Sequence, residues 1–242
     1  MVLRIAMWSG PRNISTALMR SFEARSDTHV SDEPLYAFYL ERTGLEHPMA
    51  EEIIAQHEAD WRAAADELTG PTPNGETVWY QKHMAHHLLE EVDRGWLAEL
   101  KHAFLLREPR AMLASLVDRL GSATLADTGL PQQLEIHRWV QEHTGEAPPV
   151  VDSADIQSAP REVLAQLCGA LGLPFDETML EWESGPRDSD GCWGPHWYQS
   201  TYKSTAFSPP VTRGRTLDPA YEALAQECEA IYAELAQHRI QA

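Results

Sequence analysis

Five short apolar runs punctuate the chain, at residues 3–8, 28–31, 77–81, 103–106 and 149–151. Four of them are continuous rather than alternating, which marks strands buried on both faces, as in a parallel sheet. The run Thr-His-Val-Ser at 28–31 is the weakest of the set. Helical spacing fills the intervals. Leu18 and Phe22 lie one turn apart within 15–25, and the segment 50–68 opens on Glu51 and Glu52, where the helix dipole favours anions. Pro109 stands where a first helical residue would, starting a helix through Leu120. Val163, Leu164, Leu167 and Leu171 keep helical spacing through 160–171, which stops at Gly172-Leu173-Pro174, and 219–238 closes the chain. Strands alternating with helices predict one α/β domain over 1–242, a five-stranded parallel sheet covered by helices on both faces. The stretch 183–215, rich in Gly, Pro, Ser and aromatics, keeps no period and reads as a long loop or lid on that domain.

Composition narrows the function classes. The chain has 242 residues, 43% hydrophobic and 23% charged, which is globular rather than disordered. A net charge of −18 repels nucleic acid and anionic lipid, so an anionic ligand needs a local basic pocket. All but Lys82, Lys101 and Lys203 of the 19 basic residues are Arg. That suits bidentate capture of phosphate or sulfate, although a GC-rich gene gives the same bias. Three cysteines without a C-x-x-C pair predict neither a disulfide framework nor a zinc site. No apolar run reaches the ~18 residues of a membrane span, and the first ten residues are too short an apolar stretch for a secretory signal. The expectation is a cytoplasmic protein with no membrane or nucleic-acid partner.

The most informative segment follows the first strand: Ser9-Gly10-Pro11-Arg12-Asn13-Ile14-Ser15-Thr16, then a helix. Strand, tight loop and helix start aim free backbone N–H groups at an anion, with Arg12 adding a cation and Ser15 and Thr16 adding hydroxyls. A plain βα turn with a capped helix has the same outline. The ATP-binding pattern G-x-x-x-x-G-K-[ST] is not met, because Ser15, Thr16 and Ala17 replace its second Gly, its Lys and its magnesium-binding hydroxyl. A second basic element ends the fourth strand. Arg107 is followed eight residues on by Ser115, about 9 Å along the next helix.

Together these segments resemble the nucleotide signatures of the sulfotransferase family, which uses 3′-phosphoadenosine 5′-phosphosulfate (PAPS). Pro11-Arg12-Asn13-Ile14-Ser15-Thr16 is similar to that family's phosphosulfate loop, and Arg107 with Ser115 is similar to its 3′-phosphate pair. Val151-Asp152-Ser153-Ala154-Asp155-Ile156, then Pro160 to Pro174, resembles a stretch that carries packing. The resemblance implies a P-loop three-layer fold, PAPS as co-substrate, its product PAP, no metal, and Gly10 through Thr16, Arg107 and Ser115 as the nucleotide site. Ile14 departs from the Gly often found in that loop. The C-terminal R-K-G element of animal cytosolic members is missing; Arg213 and Arg215, or Lys203, are the substitutes this chain offers.

Sulfuryl transfer to a hydroxyl requires a base for the acceptor proton and positive charge at the leaving oxygen. Arg12 suits the second task, with Lys82 as its partner. Two residues compete for the first. His83, in Tyr80-Gln81-Lys82-His83-Met84 after the third strand, resembles the cytosolic members' K-T-H with one residue missing. Glu33, after the second strand, resembles the acidic base of bacterial carbohydrate and tyrosyl-protein sulfotransferases, and needs burial to raise its pKa. The one-residue slip turns His83 to the other face and favours Glu33. Each has a bland alternative, since Glu33 precedes Pro34 at a helix start and His83 can satisfy a buried carbonyl. His83, His86 and His87 with Glu90 and Glu91 lack the H-E-x-x-H order of a metal helix.

For the acceptor, a small molecule bearing a hydroxyl or amine, Trp193, Trp197, Tyr198 and Tyr202 offer stacking surfaces or loop anchors. Asp188, Asp190 and the acidic stretch 51–60 leave a cationic acceptor open. Two other functions share this scaffold: a nucleotide-dependent phosphotransferase, and a non-catalytic binder of a 3′,5′-bisphosphate nucleotide.

Overall fold

The computed structural model describes residues 2–210 and 216–240. Its centre is a five-stranded, all-parallel sheet in the order β2-β3-β1-β4-β5. The strands are β1 (Leu3–Ser9), β2 (Thr28–Asp32), β3 (Val78–Met84), β4 (Lys101–Leu106) and β5 (Val150–Asp152). The expected α/β architecture is present, with helices on both faces.

Alternation along β1 sorts the two cores. Ile5 and Met7 pack with Leu18, Met19 and Phe22 of α1 (Ser15–Glu23), and with Val163, Leu164 and Leu167. Those last three come from α8 (Pro160–Leu171). Ala6 and Trp8 face the other way, toward Leu113 and Leu116 of α5 (Pro109–Leu120), Ile136 and Val140 of α6 (Leu130–Thr144), and Cys228 of α10 (Glu222–Leu235). Period-2 side chains on a strand covered by helices leave no polar face, which explains the continuous apolar run.

Three boundaries differ from the pattern-based expectation. The helix expected over 50–68 is two, α3 (Ala50–Gln56) and α4 (Trp61–Thr69). Asp60 breaks the run, its side chain capping α4 by accepting from the Arg62 N–H at 2.9 Å. The last helix is α10 with a 3₁₀ turn at each end. Most consequential, β3 continues to Met84, so Lys82 and His83 lie inside the strand and point to opposite faces.

Neither of two longer helices was legible, nor were two short ones. In α2 (Tyr36–Thr43) the residues from Tyr36 to Leu40 are all buried, so no polar face sets a period. The buried stripe of α6 includes Gln133 and His137, which break the apolar repeat. The remaining α-helices are α7 (Ser153–Ser158), which Asp152 caps by accepting from the Ala154 N–H at 2.7 Å, and the short α9 (Gly194–Trp197). Among the described residues, no helix is long and apolar enough to cross a membrane.

Candidate active site

The carboxyl ends of β1, β2, β3 and β4 open onto a cavity of about 310 Å³. Ligands of open α/β sheets bind at this edge. The β1–α1 loop supplies its floor, with Pro11, Arg12, Asn13, Ile14, Ser15 and Thr16 all on the lining. Gly10 is off the lining but sets the loop's path, because a Cβ there would meet the Thr128 carbonyl oxygen at 2.3 Å. Arg12 adopts φ 59°, a conformation L side chains rarely take. The side chain of Asn13 then accepts from the Ser15 N–H at 2.9 Å, starting α1. The next amides, of Thr16 and Ala17, belong to the first turn, which has no intrahelical acceptors.

The second basic element meets the first. The Arg107 guanidinium donates to the Arg12 carbonyl, and Arg12 Nε donates to Ser115 Oγ at 3.1 Å. Arg107 lines the cavity, while Ser115 stands behind Arg12. Burial lowers the Arg107 pKa, with Glu108 and Asp152 opposing the shift, yet a guanidinium starting above 12 keeps its charge. The two segments singled out by sequence thus form one cationic end of the cavity.

Opposite lies a buried charge cluster. Register pairs Asp32 of β2 with Lys82 of β3, and the Glu33 N–H continues the ladder to the Lys82 carbonyl at 2.9 Å. Lys82 Nζ donates to Asp32 Oδ1 at 2.7 Å, Glu33 Oε1 at 2.5 Å and Tyr198 Oη at 2.8 Å. Glu33, like Arg12, has positive φ, 47°. Strained non-glycine backbone of this kind concentrates at functional sites. One ammonium serves two carboxylates. Burial raises the Glu33 pKa, Asp32 adds to the rise, and Lys82 only partly offsets it. Lys82 itself stays charged, since Asp32 and Glu33 outweigh the burial that disfavours its ammonium.

His83 is elsewhere. Its ring stacks on Trp8 with centroids 4.4 Å apart, on the opposite face of the sheet, and it does not line the cavity. Burial pulls its pKa down to about 3, reinforced by His102 and Lys82.

The far wall was not anticipated as a unit. Tyr36 and Tyr39 of α2 both stack on His87, each with centroids 4.6 Å away. His47 Nδ1 hydrogen-bonds the Tyr36 hydroxyl at 2.9 Å, and His86, Arg119, Asp127 and Trp197 complete this end. The only sequence cue was the His-His pair considered for a metal. Among the described residues no cluster of three or more His, Cys, Asp or Glu is arranged to hold a metal ion.

Other expected residues fall outside. Arg213 and Arg215 lie outside the described residues, and Lys203 is exposed and off the lining. Asp190 is committed to Arg20 at 2.5 Å, while Asp188, Glu51 and Glu52 are exposed and away from the cavity, so they supply no cation subsite. Of the aromatic patch, Trp193 is buried core. Tyr198 and Trp197 reach the lining, the latter beneath the Arg119 guanidinium at 4.8 Å.

A family model described as a sulfotransferase domain matches residues 3–233. The chain belongs to the sulfotransferase family. That match extends well beyond the sheet core to which the sequence motifs were confined. Two curated Arabidopsis thaliana proteins, branched-chain-amino-acid aminotransferase-like proteins 2 and 1, are 34% and 33% identical over 229 and 235 residues. They align with 94% and 97% of this chain, which spans about two fifths of their length, 40% and 42%. Among solved structures, a sulfotransferase from Alicyclobacillus acidocaldarius superposes with a TM-score of 0.55 at 15% identity, covering 100% of this chain and 98% of that one. The sulfotransferase domain of the Synechococcus PCC 7002 olefin synthase gives 0.54 at 18% identity, covering 92% and 93%. At such identities these two structures speak for the fold.

Proposed function

We propose that this chain transfers the sulfuryl group of PAPS to a small-molecule acceptor, with Glu33 as general base. The observation that carries this reading is the position of Glu33: a buried carboxyl on the cavity lining, with one oxygen held by Lys82. PAPS would supply an activated sulfuryl group on a bridging oxygen to phosphate. The residues present fit such a nucleotide, which is anionic at both ends. Arg12, the Ser15 and Thr16 hydroxyls and the first-turn amides of α1 suit the 5′-phosphosulfate, and Arg107 with Ser115 suits the 3′-phosphate.

The division of labour follows from charge. Glu33 takes the acceptor's proton as the acceptor oxygen bonds to sulfur. The bond from sulfur to the bridging oxygen breaks, and that oxygen departs with adenosine 3′,5′-bisphosphate. Arg12 and Lys82 neutralise the charge gathering on it. Positioning and fixed charge dominate such a loose group transfer, as for phosphoryl groups. Of the segment read as a lid, residues 183–210 are described, and Trp197, Tyr198, Ser200 and Thr201 are its contribution to the cavity wall.

The test is release of adenosine 3′,5′-bisphosphate from PAPS in the presence of a panel of simple alcohols, phenols and amines. Acceptor-dependent release, abolished in Glu33→Gln, is the expected result. Release indifferent to Glu33→Gln removes it as base, and no release with any acceptor argues for a binding protein.

A further inference from the structure

Glu33 Oε1 is occupied by Lys82 at 2.5 Å and lies 3.2 Å from the Tyr198 hydroxyl, which leaves Oε2 as the oxygen open to an acceptor. A basic group beside it is unexpected. His87 Nδ1 stands 4.0 Å from Oε2, buried and with no hydrogen-bond partner. Buried polar atoms are seldom left unpaired without a functional or solvent explanation. Two stacked rings, Tyr36 within 6° of parallel and Tyr39 within 27°, restrain the imidazole from turning toward another partner.

A gap of 4.0 Å is too long for a direct hydrogen bond and the right width for one bridging oxygen. An oxygen about 2.8 Å from each atom spans it, the two contacts meeting at roughly 90° on that oxygen. We propose that Glu33 Oε2 and His87 Nδ1 cradle the acceptor's hydroxyl between them, and that the acceptor is therefore an uncharged alcohol or phenol rather than an amine. This rests on Glu33 being the base. A hydroxyl donates its hydrogen to the carboxylate and accepts, on a lone pair, from the imidazole N–H. A protonated amine has no lone pair for His87 and would pair with Glu33, neutralising the base it needs.

The surroundings agree. His87 is held neutral, its pKa driven well down by burial and by His86, His47, Lys82 and His83, so it reads a lone pair without attracting an anion. Asp127, the one carboxylate besides Glu33 on the lining, is occupied through Oδ2 by the Thr124 backbone N–H and hydroxyl, both at 2.8 Å. The step adds nothing to the proposed balance: the proton leaves on Glu33 Oε2 and His87 keeps its own.

The experiment is ring-nitrogen NMR of ¹⁵N-histidine-labelled protein saturated with adenosine 3′,5′-bisphosphate, titrated separately with benzyl alcohol and benzylamine at pH 7. His87 is assigned by its absence in His87→Phe. The expected result is a saturable shift of the His87 Nδ1 signal with the alcohol and at least a tenfold smaller response to the amine. An equal response to both, or none to the alcohol, overturns the cradle. Turnover separates the two levels. If Glu33→Gln abolishes it while His87→Phe leaves the alcohol KM unchanged, the base stands and the cradle falls. If Glu33→Gln keeps turnover, the base assignment itself fails.

Discussion

Arg12 Nε donates to Ser115 Oγ across 3.1 Å, joining residues 103 positions apart and locking the β1–α1 loop to the helix after β4. In the proposed function Ser115 would then serve the anion site in part by fixing Arg12. Ser115→Ala is expected to leave the fold intact and weaken adenosine 3′,5′-bisphosphate by roughly three- to tenfold, the worth of about one hydrogen bond. Calorimetric titration of the variant checks this, and an unchanged Kd would show that Arg12 holds its pose unaided.

Glu33 and His83 predict opposite phenotypes. Glu33→Gln is expected to lower kcat by ~10²–10⁴-fold, the usual contribution of a positioned base. His83→Ala is expected to spare kcat and cost about 1–3 kcal/mol of stability, because it removes a buried ring stacked on Trp8. Steady-state rates and urea unfolding of both variants separate the roles. A His83→Ala enzyme that is stable but inactive contradicts the assignment.

How far the sequence reached is visible in this pair. The candidate base residues and the anion-binding segments were legible because loop chemistry and spacing carry them locally. The one-residue slip before His83 already favoured Glu33, whereas the run of β3 on to Met84 was not legible, because apolar runs do not mark a strand end when Lys82 and His83 are themselves buried. The wall made by Tyr36, Tyr39 and His87 was illegible for a related reason. α2 is buried from Tyr36 through Leu40, and its contact with the turn after β3 is long-range, so no local period announces it.

Burial raises the Glu33 pKa above its ordinary 4.5, with Asp32 adding and Lys82 opposing. The base form therefore appears only as pH rises through the raised value, and kcat should climb along an acid limb above the normal carboxylate range. Linkage has the opposite sign for stability. Between 4.5 and the raised value the unfolded chain has released a proton the folded one keeps, so stability falls as pH rises through that window. Lys82→Met removes the opposing charge and is expected to move the acid limb higher. It also leaves Asp32 uncompensated, at a cost of about 3–5 kcal/mol. A pH–rate profile of wild type and variant, with an urea midpoint for each, reads both; an acid limb that moves down contradicts the charge balance described.

Gly10 is fixed by space. In Gly10→Ala the new methyl would sit 2.3 Å from the Thr128 carbonyl oxygen, a backbone atom that cannot swing away. Overpacking of that kind costs about 1–3 kcal/mol. Thermal unfolding should show a drop in Tm of several degrees, with weaker nucleotide binding because the loop is displaced. An unchanged Tm would mean that residues 126–129 yield freely.

The most direct test of a PAPS-dependent site is calorimetric titration with adenosine 3′,5′-bisphosphate, and with ATP in the presence and absence of Mg²⁺, on wild type and Arg107→Ala. Micromolar bisphosphate binding that is indifferent to Mg²⁺ and weakened at least tenfold by Arg107→Ala is the predicted result, in line with loss of a charge-assisted contact. Tight Mg²⁺-dependent ATP binding with no bisphosphate binding would contradict it, and would assign this cavity to phosphoryl rather than sulfuryl chemistry.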